Sequence, residues 1–268
     1  GPVGLFSVFE CGMMKLHCHV IDALDFIGGQ CTALYPEKPI YDIPAHPKVE
    51  GAELIKNLKA QADPFKPTYH LGQQVVSFRE EHDSIIIKTN KGTEIEAKAM
   101  IIAAGCGAFG PNRPPLAGIE EYEGKSVFYL VAHKDDYKGK KVVIAGGGDS
   151  AVDWALSLHD VAEKVYVVHR RDKFRCAPDS QDKLFELARQ GKVEMVIPFQ
   201  LEGLEGKNGQ LSHVIVKTLE CQEHKLEADI LLPFYGLAME LGPIANWGLN
   251  LEKNNIKTDA TTAATSHP

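Results

Sequence analysis

Apolar positions along this chain fall into two spacings. Short unbroken runs such as Val142–Ala145 and Val165–Val168 have the length and β-branched content of buried strands. Between them, Ser150 to Leu158 has helical composition. Strand, glycine-rich turn, helix and strand thus follow one another in "KKVVIAGGGDSAVDWALSLHDVAEKVYVVHRR". The start of the chain repeats the later part of that plan. Gly1 and Gly4 have the spacing of Gly148 and Ala151, and Asp22 stands 21 positions after Gly1, as His169 stands 21 after Gly148. Asp22 closes the strand-like "LHCHVID" as His169 closes "KVYVVH". The first strand and first glycine of this earlier copy are expected upstream of residue 1, and "GPVG" and the loop-like "TAATSHP" read as cuts in a longer protein.

The segments downstream of each copy also match. After the first come "QQVVSFREE", "SIIIKTN" and "GTEIEAKAMIIAAG"; after the second come "KVEMVIPFQLEGLEG", "LSHVIVKTLE" and "HKLEADILLPFYG". Each half reads as a βαβ unit, an antiparallel three-stranded meander, and a strand ending in glycine (Gly105, Gly236). The predicted fold is α/β, with two Rossmann-like dinucleotide-binding domains in one chain. The expected boundaries are 1–111, 112–238 and a return to the first domain over 239–268, with hinges near 110–115 and 237–243.

The glycines give this pattern a chemistry. In Gly146-x-Gly148-x-x-Ala151, one glycine makes the tight turn, one lets backbone approach a pyrophosphate at the helix start, and the last position must be small for helix and strand to pack. Asp149 and Ser150 open that helix and belong to the same candidate site. Gly1 and Gly4 are the counterparts of Gly148 and Ala151 in the first half. The residue at the end of the second strand separates the two sites. Asp22 suits ribose hydroxyls, as in FAD or NAD, whereas His169, Arg170 and Arg171, with Arg175 beyond, suit a 2′-phosphate, as in NADP(H). The competing reading of the basic run is a solvated cluster paired with Asp172 and Asp179.

Composition narrows the class. The chain of 268 residues is 44% hydrophobic and 24% charged with net charge −7, so its positive run is local and nucleic acid is not the expected partner. No apolar stretch reaches membrane-spanning length. The six cysteines (Cys11, Cys18, Cys31, Cys106, Cys176, Cys221) show neither C-x-x-C nor zinc spacing, and read as free thiols in a reducing cytoplasm. His17 and His19 alternate on one strand face without a third ligand in sequence reach, so no metal is assigned.

The segments "GPVGLFSVFECGM", "VIDALDFIGGQCTALYPEKPIYDIPA", "AAGCGAFGP", "GGGDSAVDWAL", "VVHRRDKFR" and "LGPIANWGL" resemble the thioredoxin-reductase-like, type 2 ferredoxin/flavodoxin–NADP reductases. The resemblance spans nearly the whole chain. It implies FAD contacts at Asp22, Gln30, Tyr35, Val75 and Phe109, a homodimer, and NADPH-driven electron transfer through the flavin to ferredoxin or flavodoxin. The cofactors then carry the chemistry, and no side chain is named as acid, base or nucleophile. A thioredoxin reductase of this type places a dithiol before the second glycine turn, but "GKSVFYLVAHKDDYKGKK" has no cysteine. Two other readings stay open at this point. One is a disulfide or small-molecule reductase working without C-x-x-C, the other a non-catalytic NADP-binding relic. Cys31, which follows Gln30, is open between packing and a place near the flavin.

Overall fold

Gly1 is the N-cap of α1 (Pro2–Met13), with proline in the first turn, where a missing amide hydrogen costs nothing. Leu5, Val8 and Gly12 form its buried face. A side chain at Gly12 would strike the ring of Phe65, so helix and ring meet backbone to face. The chain returns as β1 (His19–Asp22), which pairs in parallel with β2 (Thr68–Leu71) so that Asp22 lies opposite Leu71. Between these strands run the short α2 (Gln30–Ala33) and α3 (Gly51–Ala62). Leu5, Cys31 and Ile55 make a core there, with Ile27, Tyr35, Leu58 and Tyr69 packed against it. An antiparallel meander comes next: β3 (Val75–Glu81), β4 (Ser84–Thr89) and β5 (Glu94–Ala97).

This computed structural model describes residues 1–267, apart from the side chains of Ala108, Phe109, Leu237 and Met239. It divides into two compact units, Gly1–Gly110 with Ala238–Pro268, and Pro111–Leu237.

The second unit is built on β6 (Lys141–Ala145), α4 (Asp149–Leu158), β7 (Lys164–Val168), α5 (Pro178–Arg189) and β8 (Glu194–Val196). Its meander is β9 (Gln200–Lys207), β10 (Gln210–Lys217) and β11 (Glu223–Glu227), and β12 (Ile230–Pro233) closes the parallel sheet in the order β8-β7-β6-β12. Every residue of β6 and β7 except the leading lysines is buried, as continuous apolar runs in a sheet covered on both faces require. Val143, Ala145, Tyr166, Val168 and Leu231 join Val214 and Val216 of the meander in one core. Ser126, fully buried beside it, donates to the Gly209 carbonyl at 2.6 Å and accepts from the Leu211 amide at 3.1 Å.

The α/β class and the paired meanders agree with the sequence pattern, but three runs divide differently. "KVEMVIPFQLEGLEG" is two strands: Glu194–Val196 joins the parallel sheet, and Gln200 onward joins the meander. "HKLEADILLPFYG" splits in the same way around Ala228 and Asp229, whose carboxylate accepts the Lys141 amide at 2.8 Å. Residues 98–105, expected as a strand ending at Gly105, carry none. The reason lies in the partner. β12 is laddered to β6 along its whole length, and among the described residues of the first unit no strand stands in the place of β6. A run without a ladder partner cannot hold strand geometry by hydrogen bonds.

Candidate functional site

Each unit carries a glycine at the start of a helix and a distinguishing residue at the end of the next strand. In the second unit the three consecutive glycines have three separate reasons. Gly146 sits at φ +152°, and a side chain there would meet the Phe234 carbonyl at 2.7 Å and Ala151 at 3.0 Å. Gly147 faces the ring of His169. Gly148 is the N-cap of α4, has no side-chain cap, and faces open space, with no atom within 4 Å of the point where a side chain would begin. Ala151 is completely buried, which meets the demand for a small third position. An uncapped helix start with open space before it fits a phosphate, since the first amides of a helix lack internal partners and carry its positive dipole end.

The basic run is joined to that helix start through Arg175 and His169. The Arg175 amide donates to the Gly147 carbonyl at 2.7 Å, and Gly148 and Arg175 form an isolated parallel bridge. Arg170, Arg171 and Arg175 are all exposed. Among the described residues none of these guanidiniums has an ion-pair partner, and Asp179 pairs with Lys183 at 2.6 Å. The solvated-cluster reading paired the arginines with Asp172 and Asp179, and among the described residues neither pairing is present. His169 is held neutral at lower pH than usual, by burial first and then by the charges of Arg170, Arg171 and Arg175, against a raising contribution from the Lys173 carbonyl. Asp149 opens α4, but its carboxylate accepts the Ala177 amide at 2.9 Å and so ties the arginine segment to the helix start.

In the first unit, Gly1, Gly4, Leu5, Val20, Asp22, Ile27, Gly28, Tyr69 and Leu71 line one small recess. Asp22 lies 4.0 Å from the Gly1 nitrogen and accepts the Leu24 amide at 3.1 Å. The Gln73 amide donates to the Asp22 carbonyl at 3.0 Å, which fixes the chain two residues before Val75 next to the acid. Gly28 and Gly29, at φ +125° and +59°, press on this turn, and a side chain on Gly29 would come within 2.9 Å of the Gly1 Cα. Sequence reasoning passed over these two glycines, although "IGGQ" carried the signal. Gln30 reaches toward Gly105, with its Nε2 at 3.5 Å from a side chain placed there. The Tyr35 hydroxyl stands 3.9 Å from the Cys31 thiol, and burial, with Cys31 adding to it, pushes Tyr35 up to about 12. Cys31 is a core residue between Leu5 and Ile55. Phe109 lies outside the described side chains.

The acid and its glycines fit an adenosine ribose and pyrophosphate. The buried Thr32 hydroxyl, which finds no partner among the described residues, sits over Gly28 in the same segment and adds an open polar group. His19 Nδ1 lies 3.0 Å from His70 Nε2 with the rings stacked, a contact the parallel pairing of β1 and β2 creates. Among the described residues no group of three or more histidines, cysteines or carboxylates is placed to hold a metal ion, and no helix is long and apolar enough to cross a membrane.

Comparison with known proteins bears on the family and the fold. A family model described as pyridine nucleotide-disulphide oxidoreductase matches residues 29–268. A ferredoxin–NADP reductase of Paramagnetospirillum magneticum is 59% identical over 269 residues, covering 100% of this chain and 80% of its own length. One of Rickettsia canadensis is 59% identical over 259 residues, covering 97% of this chain and 77% of its own. Among solved structures, a thioredoxin reductase of T. acidophilum aligns with TM-score 0.86 at 21% identity, over 100% of this chain and 84% of that one. That of Lactococcus lactis aligns with TM-score 0.83 at 22% identity, over 97% and 82%, and both likenesses concern the fold alone.

Proposed function

Because the chain belongs to the pyridine nucleotide-disulphide oxidoreductase family, with ferredoxin–NADP reductases among its relatives, we propose that it is an FAD-dependent enzyme that moves electrons from NADPH to ferredoxin. The observation that carries this reading is the contrast between the two helix starts. Asp22 lies beside one, and the run that carries three guanidiniums without carboxylate partners among the described residues is joined to the other through the backbone of Arg175.

Together, a bound nicotinamide and flavin supply the conversion of a two-electron donor to one-electron steps. The chain's own residues place and discriminate. Gly1, Gly4 and Asp22 receive the adenosine end of FAD, and Gln30, Tyr35, Val75 and Phe109 contact the rest of it. Gly146, Gly148, Ser150 and Ala151 form the NADP(H) turn, His169, Arg170, Arg171 and Arg175 receive the 2′-phosphate, and Asp149 holds their segment in place. Tyr35, neutral up to about 12, offers a hydroxyl that stays protonated at any working pH. No cysteine stands between Gly124 and Lys141, so this segment offers no dithiol that would carry electrons from a bound flavin.

The same reading makes the chain a cytoplasmic homodimer that also accepts flavodoxin as partner. Six unpaired thiols suit that compartment. Turnover of the full-length protein with NADPH, and with either ferredoxin or thioredoxin plus disulfide as acceptor, tests it. Reduction of ferredoxin is expected, and activity confined to disulfides would overturn the proposal.

A further inference from the structure

Gly147 is the middle glycine of the turn, and its backbone is not among those with positive φ, so conformation does not explain it. Space does. A Cβ at Gly147 would fall 2.3, 2.4 and 2.6 Å from Cε1, Nε2 and Nδ1 of His169. Three ring atoms at nearly equal distance mean that the imidazole lies flat on the glycine.

The ring has little freedom to move off. Phe174, which is buried, packs against it at a centroid distance of 4.8 Å and a tilt of 45°, and Phe174 is backed in turn by Phe185 at 5.8 Å. His169 Nε2 lies 3.2 Å from the Lys173 carbonyl. Its backbone is fixed too: the His169 amide donates to the Val196 carbonyl at 3.2 Å, and the Phe199 amide donates to the His169 carbonyl at 3.0 Å. The same Gly147 peptide also accepts the Arg175 amide at 2.7 Å. One residue therefore seats both ends of the basic run, the histidine directly before Arg170 and Arg171 and the backbone of Arg175.

Resting on the NADP(H) reading above, we infer that Gly147 is a positioning residue for 2′-phosphate recognition: by leaving room for the imidazole of His169 it sets the guanidinium cluster at its place beside the start of α4. A side chain at Gly147 pushes the histidine away and moves the cluster with it, while Gly148 and the uncapped helix amides stay where they are. The consequence is selective. Binding that depends on the 2′-phosphate suffers, and binding that depends on the rest of the nucleotide does not.

The test measures affinities of the full-length protein for 2′,5′-ADP and 5′-AMP by calorimetry, in wild type, Gly147→Ala, His169→Ala and the double variant. These ligands differ in the 2′-phosphate and need no flavin turnover. Gly147→Ala is expected to lower the preference for 2′,5′-ADP by about tenfold or more, and to have almost no further effect once His169 is alanine, because the clash is then gone. Equal losses for both ligands, or the same loss in the His169→Ala background, would show that Gly147 acts on the nucleotide directly and overturn the inference. If Gly147→Ala does not fold, recovery of folding in the double variant supports the seat, and failure of both refutes it. A wild type indifferent to the 2′-phosphate would instead remove the underlying NADP(H) reading.

Discussion

β1 and β7 hold the same place in two copies of one plan, yet they are covered differently. β7 is paired on both sides, by β6 and β8, and four of its five residues are buried. β1 is paired to β2 alone among the described strands, and none of its residues is buried. The helices differ likewise: α4 buries Ala151, Val152, Trp154, Ala155 and Leu158, whereas α1 buries Leu5, Val8 and Gly12. The two copies share a glycine at the N-cap of the helix and a polar residue at or just after the end of the next strand, Asp22 in one and His169 in the other. The two proposed selectors are one or two local side chains, whereas burial of the strands is set by neighbours far along the chain.

The contrast breaks most visibly at the selectors. Replacing Arg170 and Arg171 together by alanine removes two charge-assisted contacts of about 1.5–3 kcal/mol each, so kcat/KM with NADPH is expected to fall on the order of a hundredfold or more. The value with NADH should stay nearly constant, and equal losses for both coenzymes would show that the cluster does not read the 2′-phosphate.

A like-for-like pair sharpens the packing side. Val143 in β6 is fully buried and Val20 in β1 is not. Val143→Ala is expected to cost about 2–3 kcal/mol in urea unfolding, transfer plus cavity, and Val20→Ala about 1 kcal/mol or less. Similar costs would mean that β1 is sealed as well as β6.

Smaller still is the loss at Ser126. Ser126→Ala leaves the Gly209 carbonyl and the Leu211 amide without their buried partner, and should lower stability by about 1–2 kcal/mol. An unchanged urea midpoint would mean that other groups satisfy both.

The smallest effect is one of pH. His169 titrates below its ordinary 6.5 in the folded chain. The unfolded chain therefore binds the proton first as pH falls through 6.5, and folded stability drops from there until the lowered folded value is passed. Thermal midpoints should decline below that pH more in wild type than in His169→Gln, and parallel declines would place the cause elsewhere.

Most of the strands and the glycines of the second turn were legible because each is local: apolar runs and residues without side chains. The features that escaped depend on pairing across the chain. Thr68–Leu71 and Glu194–Val196 are short and become strands only against β1 and β7. Residues 98–105 look strand-like but lack the neighbour that β6 gives β12. The hydrogen bond from the Ala177 amide to the Asp149 carboxylate, across 28 residues, has no local signal. The fit of His169 on Gly147 is likewise invisible without coordinates, since the turn already accounts for glycine at its neighbours.

The most direct measurement is an anaerobic titration of the full-length, FAD-loaded protein with NADPH and, separately, NADH, read by visible flavin absorbance, with ferredoxin added afterwards. NADPH is expected to bleach the flavin at far lower concentration than NADH, and ferredoxin to restore the colour. A flavin that stays oxidised under NADPH, or that bleaches equally with both coenzymes, would contradict the assignment of two nucleotide sites told apart by Asp22 and the arginines.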